Sequence, residues 1–123
     1  MKQIKSIMLL LIATIAFTTG KAQEAKTDTF KVWGNCGMCK RTIEKAAKGD
    51  GVEKAEWNRE TKTFTLVYNP AVTSNDKIQK AIAAAGYDTE KFTGDDKAYE
   101  NLPGCCHYDR KKKDDPNHSN HQR

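Results

Sequence analysis

The order of alternating and helical patterns between residues 27 and 92 is the feature that most constrains the fold of this chain. Four short segments are predicted as half-buried strands, at residues 27–33, 52–57, 63–68 and 89–92. Residues 39–48 carry apolar side chains at helical spacing. A second helix is predicted between a capping-box-like pair, Thr73 and Asp76, and a stop at Gly86. The order strand, helix, strand, strand, helix, strand predicts an α+β fold, the ferredoxin-like βαββαβ sandwich, with a four-stranded antiparallel sheet and two helices on one face.

The first 22 residues have the pattern of a secretory signal peptide. A basic start precedes an apolar run from Ile7 to Phe17, and the small residues Gly20 and Ala22 predict cleavage before Gln23. The run is shorter than the roughly 20 residues that span a bilayer, so we expect no membrane span once the signal is removed. The mature protein is then exported, to a periplasm or to the medium.

Charge argues against a nucleic acid as the partner. Of the 21 lysines and arginines, Lys2, Lys5 and Lys21 lie in the predicted signal peptide, whereas all 16 acidic residues follow it. The exported chain is therefore only weakly basic, without the large positive excess that nucleic-acid binding requires.

Composition divides the exported chain into three parts. Residues 27–93 contain the predicted strands and helices, and residues 94–109 form an extension that includes Cys105, Cys106 and His107. Residues 110–123 contain no Ala, Val, Leu, Ile, Met, Phe, Tyr, Trp or Cys and are predicted to be a disordered polar tail.

Cys36 and Cys39 form a CxxC motif between the first predicted strand and the first helix. Two thiolates at this spacing can face one ion, and thiolates select soft ions such as Cu(I), whereas calcium and magnesium prefer oxygen ligands. Two sulfurs are too few for a closed structural zinc site, so we expect an open, exchangeable metal site. The unpaired N–H groups at a helix start favour an anion, and we expect them to ease ionisation of Cys39.

Cys105, Cys106 and His107 offer further soft and borderline ligands outside the predicted domain. Three interpretations stay open: auxiliary ligands for an ion at Cys36 and Cys39, a redox pair that protects those cysteines, or a link to another subunit that gives a metal- or disulfide-linked dimer. Met38 is either a weak thioether ligand or a residue that packs the loop.

Two other classes of function compete with metal binding. A CxxC at a helix start also serves thiol-disulfide oxidoreductases, because the helix lowers the pKa of a thiol. Alternatively, the four cysteines are bridges of a disulfide-stapled secreted interaction module. No nucleophilic triad or phosphate-binding loop is present, since all three histidines follow residue 106. We therefore expect a protein that is not an enzyme.

From Thr27 to Phe92 the chain resembles the heavy-metal-associated domain family. The resemblance rests on the CxxC after the first strand and on five further segments, at Ile43-Glu44, Gly51-Val52, the turn from Asn58 to Thr61, Val67-Tyr68-Asn69-Pro70 and Ala84-Ala85-Gly86-Tyr87. It implies that Cys36 and Cys39 bind Cu(I), or Hg(II) in one branch of the family, with Zn(II) or another thiophilic ion as a further candidate. It also implies transfer of the ion by ligand exchange to a partner such as a transporter or the metal-binding domain of an ATPase.

This chain departs from the family pattern at one position. The family carries a methionine before the first cysteine, whereas here Met38 stands between the two cysteines. The resemblance also places Tyr87 on the loop nearest the metal site, either as a residue that tunes the site or as an aromatic at its rim.

Overall fold

Strand β3 (Thr63–Tyr68) is the centre of the sheet in the computed structural model, which describes residues 24–111. It pairs antiparallel with β1 (Lys26–Lys31) on one side and with β2 (Val52–Trp57) on the other. Alternate residues of β3 are buried, as the sequence pattern predicts. Phe64 lies opposite Phe30 of β1, and their rings stack with centroids 5.0 Å apart.

Two helices supply the other side of the core. Helix α1 (Gly37–Ala47) buries Cys39, Ile43 and Ala47, and helix α2 (Asn75–Ala84) buries Ile78, Gln79, Ile82 and Ala83. Helix α2 begins at the cap Ser74, whose Oγ accepts from the Lys77 N–H at 3.2 Å. The cap is not Thr73, because Thr73 still belongs to the preceding turn and donates its N–H to the carbonyl of Asn69.

The predicted four-stranded sheet is not confirmed, because the described sheet has three strands. The segment expected to form a strand at 89–92 contributes a single antiparallel bridge, between Val32 and Thr89. Thr89 donates its N–H to the Phe92 carbonyl at 2.8 Å, and the Phe92 N–H donates to the Thr89 hydroxyl at 3.0 Å. This tight turn uses the backbone groups that a longer ladder would need.

The extension after residue 93 folds back onto the domain. It contains helix α3 (Asp96–Glu100) and a 3-10 turn (Gly104–Cys106). Tyr108 anchors its end, because the buried hydroxyl donates to the Gly86 carbonyl at 2.7 Å and accepts from the Asp88 N–H at 2.8 Å. The extension is therefore part of the folded unit.

Arg110 and Lys111 belong to this anchored segment, although the sequence assigns them to the polar tail. The Arg110 guanidinium pairs with Asp88 and Asp96, each at 2.7 Å, and the Lys111 N–H donates to Asp88 at 3.0 Å. Arg110 and Lys111 are polar, but their bonds to the buried carboxylate of Asp88 hold them against the domain. The predicted signal peptide and residues 112–123 of the predicted tail lie outside the described residues. Between residues 24 and 111, no helix is both long and apolar enough to cross a bilayer.

Candidate metal centre

The loop that leads to Cys36 packs against the ring of Trp57. Gly34 packs so closely on Trp57 that a Cβ there would lie 2.8 Å from the ring. The Trp57 Nε1 in turn donates to the Val32 carbonyl at 3.0 Å, and Lys62 donates to the Gly34 carbonyl at 2.8 Å. Three contacts, one at Val32 and two at Gly34, therefore hold the backbone that leads to Cys36.

The N-terminus of α1 presents both cysteines of the CxxC. Cys36 is the N-cap and half-buried, whereas Cys39 lies in the first turn and is fully buried. Their sulfurs are 3.6 Å apart. The motif therefore has one accessible sulfur and one enclosed sulfur on the same side of the helix end.

The extension brings two more sulfurs to this place. The Cys105 Sγ lies 3.3 Å from the Cys36 Sγ, and the Cys106 Sγ lies 3.6 Å from it. Asn35 ties the two segments together, because its side-chain amide donates to the Cys105 carbonyl at 3.2 Å. All four cysteines are free thiols in the structure.

The sulfurs of Cys36, Cys39 and Cys106 all lie within 4.8 Å of one another. The Cys105 sulfur lies 3.3 Å from that of Cys36 and 3.9 Å from that of Cys106. Cys106 is buried, whereas Cys105 is exposed at the edge of the group. Thiolates favour soft ions over calcium and magnesium, so this donor set fits a thiophilic ion. The sequence predicts the ligand types, and the structure places them side by side.

The other two candidate ligands lie at the periphery. Met38 is 52% exposed, so it is not a core residue, and its Sδ lies 3.6 Å from the Cys105 Sγ. His107 is exposed and stacks on Tyr99 at a centroid distance of 5.2 Å, and it does not belong to the three-sulfur group.

Tyr87 lies beneath the sulfurs and is completely buried. Its hydroxyl forms no hydrogen bond with the described residues. Burial raises the pKa of Tyr87, and so do the nearby thiols of Cys39 and Cys106. A buried hydroxyl without a partner costs about 1–3 kcal/mol. The Tyr87 hydroxyl is such a donor, and it lies next to the sulfurs of Cys39 and Cys106.

The helix end lowers the pKa of Cys36 to about 6, mainly because the Cys39 backbone N–H faces this sulfur and further because the Cys105 thiol lies beside it. The sequence pointed to Cys39, but helix α1 begins two residues earlier than predicted, and this places Cys36 at the cap. The Cys36 thiolate raises the pKa of Cys105, and burial raises that of Cys106.

Sequence reasoning missed the residues that position the extension. Burial by itself would raise the pKa of Asp88, but Arg110 and the N–H groups of Gly94 and Lys111 lower it below the ordinary value. Tyr108 stacks on Tyr87 at 5.6 Å, which links this anchor to the sulfur site. In the sequence, only Tyr108 and Arg110, two and four residues after Cys106, indicate that this segment is anchored to the domain.

Comparison with known proteins gives a consistent result. A model of the heavy-metal-associated domain matches residues 29–88. The chain is 37% identical to the mercuric transport protein periplasmic component of Pseudomonas fluorescens over 82 residues, which are 65% of this chain and 90% of that protein. It is 41% identical over 56 residues to a copper-exporting P-type ATPase of Staphylococcus saprophyticus. This match covers 45% of this chain but only 7% of the ATPase.

A solved structure is similar to the same part of the fold. The CopZ metallochaperone superimposes with a TM-score of 0.50 at 30% identity, and the match covers 52% of this chain and 98% of that one. The match extends over about half of this chain, so the similarity concerns the domain that carries the CxxC.

Proposed function

This chain belongs to the heavy-metal-associated domain family, as its sequence predicts, and from that premise we propose that it is an exported metallochaperone or scavenger that holds Cu(I) through Cys36 and Cys39. Hg(II), Zn(II) or another thiophilic ion is the alternative cargo. The observation that supports this function best is the pair of sulfurs 3.6 Å apart at the N-terminus of α1. Soft ions are the class of metal that such a pair selects.

Transfer by thiolate exchange follows from the unequal exposure of the two sulfurs. A thiolate of the partner approaches the half-buried Cys36 and forms a bond to the ion, the bond from Cys36 to the ion then breaks, and Cys39 is released last. The lowered pKa of Cys36 makes this thiol available as an anion near neutral pH without a base. No electrons are transferred in this exchange. In this proposal the protein delivers the ion unchanged and catalyses no reaction.

The partner proposed for this exchange is a transporter or the metal-binding domain of an ATPase. A segment of a copper-exporting P-type ATPase is 41% identical to this chain over 56 residues. Two metal-binding domains can present thiols to one ion in turn. Export is proposed from the signal-like residues 1–22 and from the similarity to a periplasmic component of mercuric transport.

A second candidate function is thiol-disulfide exchange at the same motif. It is favoured by the Cys36 thiol with its pKa of about 6 and by the Cys105 sulfur 3.3 Å away, which is placed to act as a resolving thiol. Reduction of insulin disulfides by the metal-free protein, with glutathione as the electron donor, distinguishes this activity from metal transport.

The test of the proposed function is an anaerobic Cu(I) titration of the reduced, exported protein against a competing chelator. The Cys36→Ser/Cys39→Ser variant is expected to lose more than roughly 100-fold in affinity, because even changes behind the ligands cost about 10–100-fold. A variant of two exposed residues remote from the cluster, Lys54→Ser/Glu56→Ser, is the matched control and should bind like wild type. Equal binding by the cysteine variant and by wild type would refute the proposal.

A further inference from the structure

We infer that Cys106 is a third sulfur ligand at the Cys36 and Cys39 site, so that the extension encloses the ion in a three-thiolate centre. This inference rests on the proposed function and deepens it, because it assigns the coordination of the same cargo. A CxxC alone supplies two sulfurs, and the third comes from a residue about 70 positions later in the chain.

The distance between the CxxC sulfurs argues for a third ligand. With metal–sulfur bonds of about 2.3 Å, a linear two-sulfur site separates its sulfurs by roughly 4.6 Å and a trigonal site by roughly 4.0 Å. The observed 3.6 Å between Cys36 and Cys39 is well short of the linear value, so the pair is placed for a site with more than two ligands. It leaves one side of an ion between them uncovered.

Cys106 occupies that side. Its sulfur lies 3.6 Å from Cys36 and within 4.8 Å of Cys39, so the three distances are those of a triangle that a single ion can bridge. The side chain is 1% exposed, which places this sulfur on the inner face of the cluster. Cys105 differs from Cys106 in its exposure: its sulfur also lies near Cys36, at 3.3 Å, but the side chain is exposed and contacts the sulfur of Met38 at 3.6 Å.

Tyr87 gives an independent indication that charge develops at this triangle. Its hydroxyl is completely buried beside the thiols of Cys39 and Cys106, and among residues 24–111 it forms no hydrogen bond of ordinary geometry. Thiolates bound to an ion keep negative charge on sulfur and accept such a hydrogen bond, as the outer partners of metal ligands usually do. The donor is thus positioned before the ion arrives.

The extension is built to hold Cys106 in place. Tyr108 follows it by two residues and is bonded at both Gly86 and Asp88. Upstream of Cys106, the Asn35 side chain holds the Cys105 carbonyl. The third sulfur is therefore fixed by contacts on both sides, as a ligand of a preformed site should be.

X-ray absorption at the copper edge tests this assignment on the Cu(I)-loaded, reduced protein. Wild type should show three Cu–S contacts, and Cys106→Ser should show two and bind Cu(I) about 10–100-fold more weakly. Cys105→Ser, one residue away, is the comparison variant and should keep three Cu–S contacts and lose less affinity than Cys106→Ser. Lys54→Ser/Glu56→Ser, at exposed residues of β2, is the control that should bind like wild type. Cys106→Ala, which buries no hydroxyl, repeats the measurement, and urea unfolding identifies any variant that has lost its fold.

Two contacts in wild type, or an equal loss of affinity for Cys105→Ser and Cys106→Ser, overturns the inference. Failure of the proposed function gives a different result, because wild type then binds Cu(I) no better than the Cys36→Ser/Cys39→Ser variant. Tight binding through two sulfurs would keep the proposed function and remove only the third ligand.

Discussion

The buried hydroxyl of Tyr108 donates to the carbonyl of Gly86 at 2.7 Å, and this bond joins the extension to the loop that carries Tyr87. Gly86 has a φ of +103°, and a Cβ there would lie 2.8 Å from the backbone of Tyr99. Only glycine combines that conformation with such close approach. The position of the Cys-Cys pair therefore depends on a contact outside the sulfur site.

Tyr108→Phe should destabilise the protein by about 1–3 kcal/mol, because the Gly86 carbonyl and the Asp88 N–H both lose a buried partner. Urea unfolding measures the loss of stability. The variant should also expose Cys106 to alkylation more often than wild type. Tyr68→Phe, which removes a hydroxyl bonded to Asp28 in another part of the fold, should leave Cys106 protected. Equal protection of Cys106 in wild type and Tyr108→Phe would show that Tyr108 does not hold the extension.

Tyr87→Phe should leave the stability of the metal-free protein unchanged or slightly higher, because the hydroxyl that it removes has no partner among the described residues. The same variant should bind Cu(I) about tenfold more weakly, since the hydroxyl supports the sulfur ligands of Cys39 and Cys106. Chelator competition and urea unfolding measure the two effects. A wild-type Cu(I) affinity in Tyr87→Phe would rule out a role of this hydroxyl at the site.

Cys36 should be the most reactive thiol of the reduced, metal-free protein. Its pKa of about 6 arises mainly from the Cys39 N–H group that faces it, so the rate of alkylation by iodoacetamide should rise between pH 5 and pH 7 and then level off. Peptide mapping after brief labelling identifies the residue. In Cys36→Ser this fast phase should vanish. A fast phase that persists in the variant would assign the reactive thiol to another cysteine.

Acid should destabilise the fold through Asp88. Its folded pKa lies below the ordinary value of about 3.9, so its stabilisation is complete above that value and is lost as the pH falls through the folded pKa. Asp88→Asn should lower stability at pH 7 by about 3 kcal/mol, because Arg110 loses the charge of its buried partner, and should flatten the profile between pH 5 and pH 2. Asp28→Asn, at a carboxyl with lower burial, should retain most of the slope. A profile equally steep in Asp88→Asn and in wild type would contradict this assignment.

Local patterns predict the central strands and helices well. The bounds of β2 and β3 agree with the sequence, because alternate side chains such as Phe64 and Leu66 are buried in the observed sheet. The sequence pattern predicts the start of α1 two residues too late, since Gly37 and Met38 lie on the exposed surface and add nothing to the buried face of the helix. It also predicts a longer last strand than the structure contains, because Thr89 and Phe92 bond to each other in a turn.

The ligand types of the site could be predicted, but its geometry could not. Cys36 and Cys105 lie 69 positions apart, and no local pattern records that their sulfurs are 3.3 Å apart. The ion pair of Arg110 with Asp88 joins the end of the extension to the domain, and neither of these two segments of the sequence indicates the other as its partner. Long-range polar pairing of this kind is visible only when the chain is folded.

Amide chemical shifts of the reduced protein, recorded before and after one equivalent of Cu(I), test the central claim most directly. The account predicts large changes around residues 34–40, 87 and 105–107 and small changes along β2 and β3. His118 and His121, in the predicted polar tail, should shift little. Changes confined to residues 112–123, or no changes at all, would contradict metal binding through Cys36 and Cys39.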